Sequence, residues 1–383
     1  MPWQEVNVMT LRREFVELAA QEGANVSELC RRYEISRKTG YKWLGRGGGG
    51  SGRPAALQDR SRRPLHCPHQ TEAALEREVV KLRLRHPCWG GRKIAWRLGE
   101  LGQAPLTPST VTRILHRHGL IEPEASERAA PVKRFEHERP NAMWQMDFKG
   151  TFQTLAGSCL PLTVLDDHSR FNLVLNANAC TDTASVKPLL VQAFERYGLP
   201  VRINTDNGPP WGAPSAVEAG LTELTIWMIR LGILVSHSRP AHPQTNGKIE
   251  RFHQTLKKEV LAARHFADHA QVQRSFDTWR TTYNCERPHE ALGGRTPAQR
   301  FTPSPWHLPA CLPEIHYPAT DTVLIVGCNG VIRFQGRRLQ VCRALRRLPI
   351  GLRPDPNVDG RFDAYFCHHK FMSLDLASNT VQT

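Results

Sequence analysis

Three carboxylates define the chemistry this chain is equipped to perform. Asp147 lies in Trp144-Gln145-Met146-Asp147-Phe148, Asp206 in Asn204-Thr205-Asp206-Asn207-Gly208, and Glu250 in Asn246-Gly247-Lys248-Ile249-Glu250-Arg251-Phe252. Brought together, such a set binds two divalent cations about 3.5–4 Å apart and moves phosphoryl groups by in-line displacement. Magnesium takes oxygen ligands and keeps waters, so three carboxylates and substrate phosphate oxygens suffice. The rest of the chain points to the substrate. Lys and Arg number 51 against 36 Asp and Glu, a formal charge of +15 with a pI near 9.7. An acidic pocket in a basic chain predicts metal chemistry on nucleic acid.

Each carboxylate needs a rigid support. Strand alternation over 144–149 puts Trp144, Met146 and Phe148 on one face and Gln145, Asp147 and Lys149 on the other. A carboxylate on an otherwise apolar strand is costly unless its charge is compensated, which a metal ion would do. Two more strands are expected at 160–165 and 171–175, joined by Asp166-Asp167-His168-Ser169-Arg170. Tight hairpins favour Asp and Ser for local hydrogen bonding, so Asp166 reads as support for the site. After a helix near 183–197, a strand over 201–205 releases Asp206 into an Asn-Gly loop at its C-terminal edge, where ligands meet α/β sheets. A strand at 233–237 and a polar loop at 240–245 lead to the last helix of this region. There Ile249, Phe252, Leu256 and Val260 form a buried stripe, while Glu250, His253 and Lys257 share an adjoining face. Lys257, about two turns beyond Glu250, is set to reach a phosphate. Asn207 and His253 are further candidates for positioning substrate.

Basic charge is concentrated at the N-terminus, where residues 1–140 carry nine of the fifteen excess positive charges. Helical spacing of Leu11, Phe15, Leu18 and Ala19, a second segment from Asn25, and a turn at Glu34-Ile35-Ser36 predict a helix-turn-helix over 1–45. Its last helix exposes Arg37, Lys38 and Lys42, favouring DNA contact over a plain three-helix core. Residues 46–69, with Gly47 to Gly50 followed by scattered arginines and prolines, read as a flexible basic linker, natural or introduced as a spacer. A second helical unit is expected over 70–121, its third helix opened by Thr107-Pro108 and carrying Arg113 and Arg117. Whether that helix recognises DNA or only packs is open from the sequence. Residues 122–140 read as another linker. The ten cysteines include no Cys-x-x-Cys pair, which argues against a zinc module or a disulfide framework and fits a reducing cytoplasm. Neither a signal peptide nor a run of eighteen apolar residues is found, so no membrane role is expected.

The ordered set Trp144-x-x-Asp147, Asp166-Asp167-His168-Ser169-Arg170, Thr205-Asp206-Asn207-Gly208 and His242-Pro243-Gln244-Thr245-Asn246-Gly247-Lys248-Ile249-Glu250-Arg251 resembles the integrase core of insertion-sequence transposases and retroviral integrases. Tyr283-Asn284-x-x-Arg287-Pro288-His289 and Thr296-Pro297-Ala298 are similar to the usual ending of that core, which would span 141–300. The resemblance implies a ribonuclease-H-like α/β fold with Asp147, Asp206 and Glu250 as the catalytic, metal-binding triad. It also implies two Mg²⁺ ions, with Mn²⁺ able to substitute, and a cytoplasmic, nucleoid-associated bacterial protein. The expected reaction is cleavage at the element ends followed by strand transfer into target DNA. Partners would be both DNAs and at least one further copy of the chain. Alternatives are a metal-dependent nuclease that does not join, or a DNA-binding regulator with an inactive core. The 43 residues between Asp206 and Glu250 exceed the common spacing, predicting an insertion or longer helix at about 213–231. Short apolar strands at 322–326, 331–334, 338–341 and 362–367 suggest a small β-barrel over 301–383, which the resemblance implies is SH3-like. Arg333, Arg337, Arg338, Arg343, Arg346 and Arg347 would line its phosphate-binding face or simply be solvated.

Overall fold

The computed structural model describes residues 7–47, 57–59, 70–121, 136–212, 221–237, 247–262, 264–376 and 380–382. Most of the two expected linkers and the whole loop at 240–245 lie outside the described residues. The chain forms two units, Met1–Thr71 and Glu72–Thr383. No described helix is long and apolar enough to cross a membrane.

The first unit holds α1 (Val8–Ala19), α2 (Val26–Arg32) and α3 (Arg37–Gly47). Asn7 and Asn25 cap the first two helices by accepting backbone N–H bonds in the opening turn. Between α2 and α3 the chain turns through Glu34, whose φ of 51° lies in the left-handed region. Phe15, Cys30 and Trp43 meet in a small core. Gly40 makes the close approach possible, because a Cβ there would lie 2.5 Å from Cys30 Sγ. With the inward face so occupied, Arg37, Lys38 and Lys42 are exposed as expected, and the Lys42 ammonium sits 4.1 Å from the Trp43 ring centre.

The second unit begins with α4 (Ala73–Arg85), α5 (Gly91–Glu100) and α6 (Pro108–Arg117) around Val79, Ile94, Leu98, Val111, Ile114 and Leu115. Thr107 caps α6 by accepting from Thr110 N, with Pro108 at the first helical position. These helices lie against the α/β core. Arg92 pairs with Glu290 at 3.1 Å, Arg97 with Glu286 at 3.8 Å, and the Trp96 ring covers Gly294.

The core itself is built from β1 (Trp144–Phe148), β2 (Phe152–Thr154), β3 (Gly157–Asp166), β4 (Asn172–Asn178), α7 (Thr183–Tyr197), β5 (Arg202–Thr205), α8 (Glu223–Arg230), β6 (Leu234–His237), α9 (Gly247–Leu256) and α10 (His269–Cys285). The main sheet runs β4-β3-β1-β5-β6, with β2 turning back on β3. Its first pairings are antiparallel, whereas β1-β5 and β5-β6 are parallel. One face buries Trp144, Met146 and Val164 against Val186, Leu190 and Phe194 of α7 and against α8. The other buries Leu165 and Leu175 against Phe252 and Leu256 of α9 and Phe276 of α10. Each such side chain contributes about 1.5–3 kcal/mol when fully buried, so the two layers hold the sheet rigid between them. Of the insertion or longer helix anticipated at about 213–231, the described part holds the eight-residue α8, and 213–220 lie outside the described residues.

The C-terminal region departs from expectation. It contains β7 (Thr322–Ile325), β8 (Val331–Phe334), β9 (Arg337–Gln340), β10 (Pro349–Pro354), β11 (Arg361–Phe366), β12 (His369–Asp375) and β13 (Thr380–Gln382). These make an open antiparallel sheet, β13-β12-β11-β10-β7, and a separate hairpin of β8 and β9. Among the described residues no ladder closes them into a barrel. Ile350, Leu352, Ala364 and Phe366 are buried in continuity with α8, so the region completes the core cluster.

Candidate active site

The parallel ladder of β1 and β5 sets Trp144 opposite Ile203 and Gln145 opposite Asn204. Asp147 follows the last paired residue of β1 by two positions and Asp206 follows the end of β5, so both leave the same end of this ladder, and the charge of Asp206 is felt at Asp147. Since Trp144 and Met146 are buried towards α7, Gln145 and Asp147 face α9, as alternation predicts. Glu250 lies in the first turn of α9, whose stripe of Ile249, Phe252 and Leu256 is fully buried beneath it.

Electrostatics connect the three acids. Burial, then the neighbouring charge of Asp206 and more weakly that of Glu250, push the Asp147 carboxyl up to about 7, against a lowering hydrogen bond from the Phe148 backbone. His253 Nδ1 stands 4.0 Å from Asp147 Oδ2, but burial and the nearby Lys149 push that imidazole down to about 3. It is therefore neutral and is not an ion-pair partner; its Nε2 instead lies 3.1 Å from Thr163 Oγ1. Asp206 is exposed yet held in place. Its Oδ1 accepts from Gly208 N at 3.1 Å and from the indole N–H of Trp211, a buried ring stacked on Phe148. Its backbone carbonyl accepts from His237 Nδ1 at 2.9 Å. A Cβ at Gly208 would come within 3.2 Å of Asp206 Oδ2, so glycine leaves room for the carboxylate in this position.

These donors fit a hard divalent cation. They offer only oxygen, and among the described residues no charged base neutralises Asp147, Asp206 or Glu250. No group of three His, Cys, Asp or Glu among the described residues lies close enough to enclose an ion as it stands. What the structure brings together is a coupled Asp147–Asp206 pair with Glu250 in electrostatic reach.

The positioning candidates divide. Asn207 is exposed in the loop after Asp206, and Lys257 is exposed at the start of a π-helical turn, Lys257–Leu261, that extends α9. Lys149, noted in the sequence only as sharing the face of Asp147, is close to Lys257; burial and that second charge both lower its ammonium pKa. Of the DNA-contact candidates outside α3, Arg113 and Arg338 are exposed. Arg117 is engaged with Glu76 at 2.9 Å, and Arg337 donates to the Leu376 carbonyl at 2.6 Å. Asp166 is structural, as read: fully buried, it accepts from Asn141 N and from the Ser169 amide and hydroxyl. Sequence reasoning gave no role to Gln145, Asp167 or Lys248, which join β1, the β3–β4 turn and α9. Only the strand parity of Gln145 signalled its direction.

Comparison with known proteins follows this geometry closely. The integrase core domain matches at residues 137–243 and again at 231–297, together spanning all three carboxylates. A helix-turn-helix domain matches at 11–64 and a homeodomain-like domain at 39–115. An uncharacterised 39.2 kDa protein of insertion element IS476 from Xanthomonas euvesicatoria is 31% identical over 248 residues, covering 61% of this chain and 67% of that protein. The chain belongs to the insertion-sequence transposases of the integrase-core superfamily. Residues 321–382 of this transposase match the C-terminal domain of the IS481 transposase family. A 31.7 kDa protein of insertion element IS407 from Burkholderia multivorans is 26% identical over 160 residues, covering 42% of this chain and 55% of that protein. Among solved structures, the catalytic core domain of HTLV-2 integrase in complex with magnesium is similar at 19% identity and a TM-score of 0.33, over 43% of this chain and 97% of that one.

Proposed function

We propose that this transposase binds the ends of its insertion element and, with two divalent cations held by Asp147, Asp206 and Glu250, cleaves DNA strands and joins them to target DNA. The emergence of Asp147 and Asp206 from the same end of the β1–β5 ladder, with the Asp147 carboxyl lifted by burial and its acidic neighbours, supports the reading. Mg²⁺, or Mn²⁺ in its place, supplies the Lewis acidity that activates an attacking oxygen and stabilises a leaving one. The protein's own groups do the rest. Trp211 and Gly208 N fix the Asp206 carboxylate, neutral His253 occupies the floor beside Asp147 without competing for its charge, and Lys257 and Asn207 orient the DNA backbone. The 3′-hydroxyl freed by cleavage is the nucleophile for joining, so no side chain forms a covalent intermediate. The helix-turn-helix of α1–α3, together with α4–α6, delivers the element ends through Arg37, Lys38, Lys42, Arg113 and Arg117. Holding two ends at once calls for at least two copies on DNA.

A strand-transfer assay tests this. Purified protein with Mg²⁺ or Mn²⁺ joins cognate end DNA to a plasmid, and Asp206→Asn abolishes joining while DNA binding persists. Cleavage without joined product would instead assign a nuclease, and binding without chemistry a regulator.

A further inference from the structure

The residues two positions before each carboxylate form a second polar layer. Gln145 precedes Asp147, Asn204 precedes Asp206 and Lys248 precedes Glu250. Gln145 and Asn204 are register partners, both buried, and Asn204 Oδ1 accepts from Ser236 Oγ at 3.0 Å on β6. Gln145 spends both ends of its amide on other elements. Its Nε2 donates to Asp167 Oδ1 at 2.9 Å, and its Oε1 accepts from Ile249 N at 3.3 Å in the first turn of α9. Asp167, only 1% exposed, also accepts from His137 N at 3.0 Å and forms an ion pair with Lys248. Its own amide donates to the Met143 carbonyl at 2.9 Å, tying the turn to the approach of β1. Met143, Asp167, Lys248, Ile249 and Gln145 thus close a circuit through three elements.

The first N–H groups of a helix have no intrahelical acceptor, so the direction in which a helix starts depends on what else receives them. Here the receiver is a side chain of the strand that bears Asp147. We infer that Gln145, Asp167 and Lys248 are positioning residues that lock the first turn of α9 to β1, holding the helix that carries Glu250 to the strand that carries Asp147 before any cation binds. This deepens the proposed function by naming what preorganises its ligand set, while the circuit itself stands on the observed contacts. Buried hydrogen bonds of this kind persist only when all members are satisfied, so removing one should loosen the others.

Hydrogen exchange on the full chain provides the test, since it needs neither DNA nor turnover. In the unaltered protein the Ile249 amide should be protected although it lies in a first turn, and exchange there at the solvent-exposed rate would overturn the inference. Gln145→Met should speed exchange across the first turn of α9 by about tenfold, the loss of roughly one buried hydrogen bond. Calorimetric Mn²⁺ binding should weaken in parallel, with exchange in β3 unchanged. Lys248→Arg, which keeps the charge but changes its reach, should act in the same direction to a smaller extent. Exchange that is unchanged at α9, or accelerated equally through β1, β3 and α9, would show these residues to be general stabilisers. If α9 loosens as expected while the unaltered protein shows no strand transfer, the positioning role stands and the proposed reaction fails.

Discussion

Asp147→Asn should gain stability relative to the parent as pH rises. The unfolded carboxyl titrates near 3.9, whereas in the fold it is lifted to about 7 by burial and by Asp206 and Glu250. Between these values the folded state keeps a proton that the unfolded state has released. Stability must therefore fall as pH rises from about 4 to about 7 and level off above, because linkage favours whichever state binds more protons at low pH. Three units at about 1.36 kcal/mol each set a ceiling of about 4 kcal/mol. The side chain is 23% exposed, so solvent screening brings the expected loss to about 2–3 kcal/mol. The variant carries no titrating group at this position, so urea melts of both proteins from pH 4.5 to 8.5 isolate its contribution. The variant should gain about 2–3 kcal/mol on the parent across that window, and saturating Mg²⁺ should close the gap at pH 8 by stabilising the parent alone. Difference curves that stay flat with pH would refute the claim that burial and the charges of Asp206 and Glu250 raise the Asp147 carboxyl.

Two further outcomes test the supports. Glu259, on the π-helical turn beyond Glu250, ion-pairs with Arg287 and accepts from Trp279 Nε1 at 2.8 Å. Glu259→Ala leaves a buried guanidinium unpaired and should cost about 3–5 kcal/mol in a urea melt; a cost below about 1 kcal/mol would mean that this pair does not hold the turn. Arg37→Ala and Lys38→Ala should each reduce the slope of log affinity against log salt by about one for end DNA. Slopes equal to the parent's would remove α3 from the DNA interface.

Periodicity made much of this legible. Alternation anticipated that Trp144 and Met146 are buried together, and helical spacing anticipated the buried stripe of Ile249, Phe252 and Leu256, because burial enforces both patterns. Thr107-Pro108 marked the start of α6 through chemistry local to one turn. Long-range polar pairing was not legible. Nothing near Asp167 in sequence reveals Lys248 as its partner, and nothing near Arg92 or Arg97 reveals Glu290 and Glu286 as theirs. Strands were missed where punctuation misled: β10 begins and ends with proline, and β12 follows a tight turn through Cys367 at φ 50°. Both lie in a sheet that no ladder among the described residues closes, whereas a barrel was expected from strand spacing and the family resemblance, neither of which says which edges pair.

The central claim is that Asp147, Asp206 and Glu250 share cations, and anomalous scattering from crystals of the full chain soaked in Mn²⁺ tests it most directly. Manganese should lie between the Asp147 and Asp206 carboxylates, with Glu250 completing the set and the Trp211 bond to Asp206 retained. Manganese bound elsewhere, or a saturated crystal with none at these carboxylates, would contradict it.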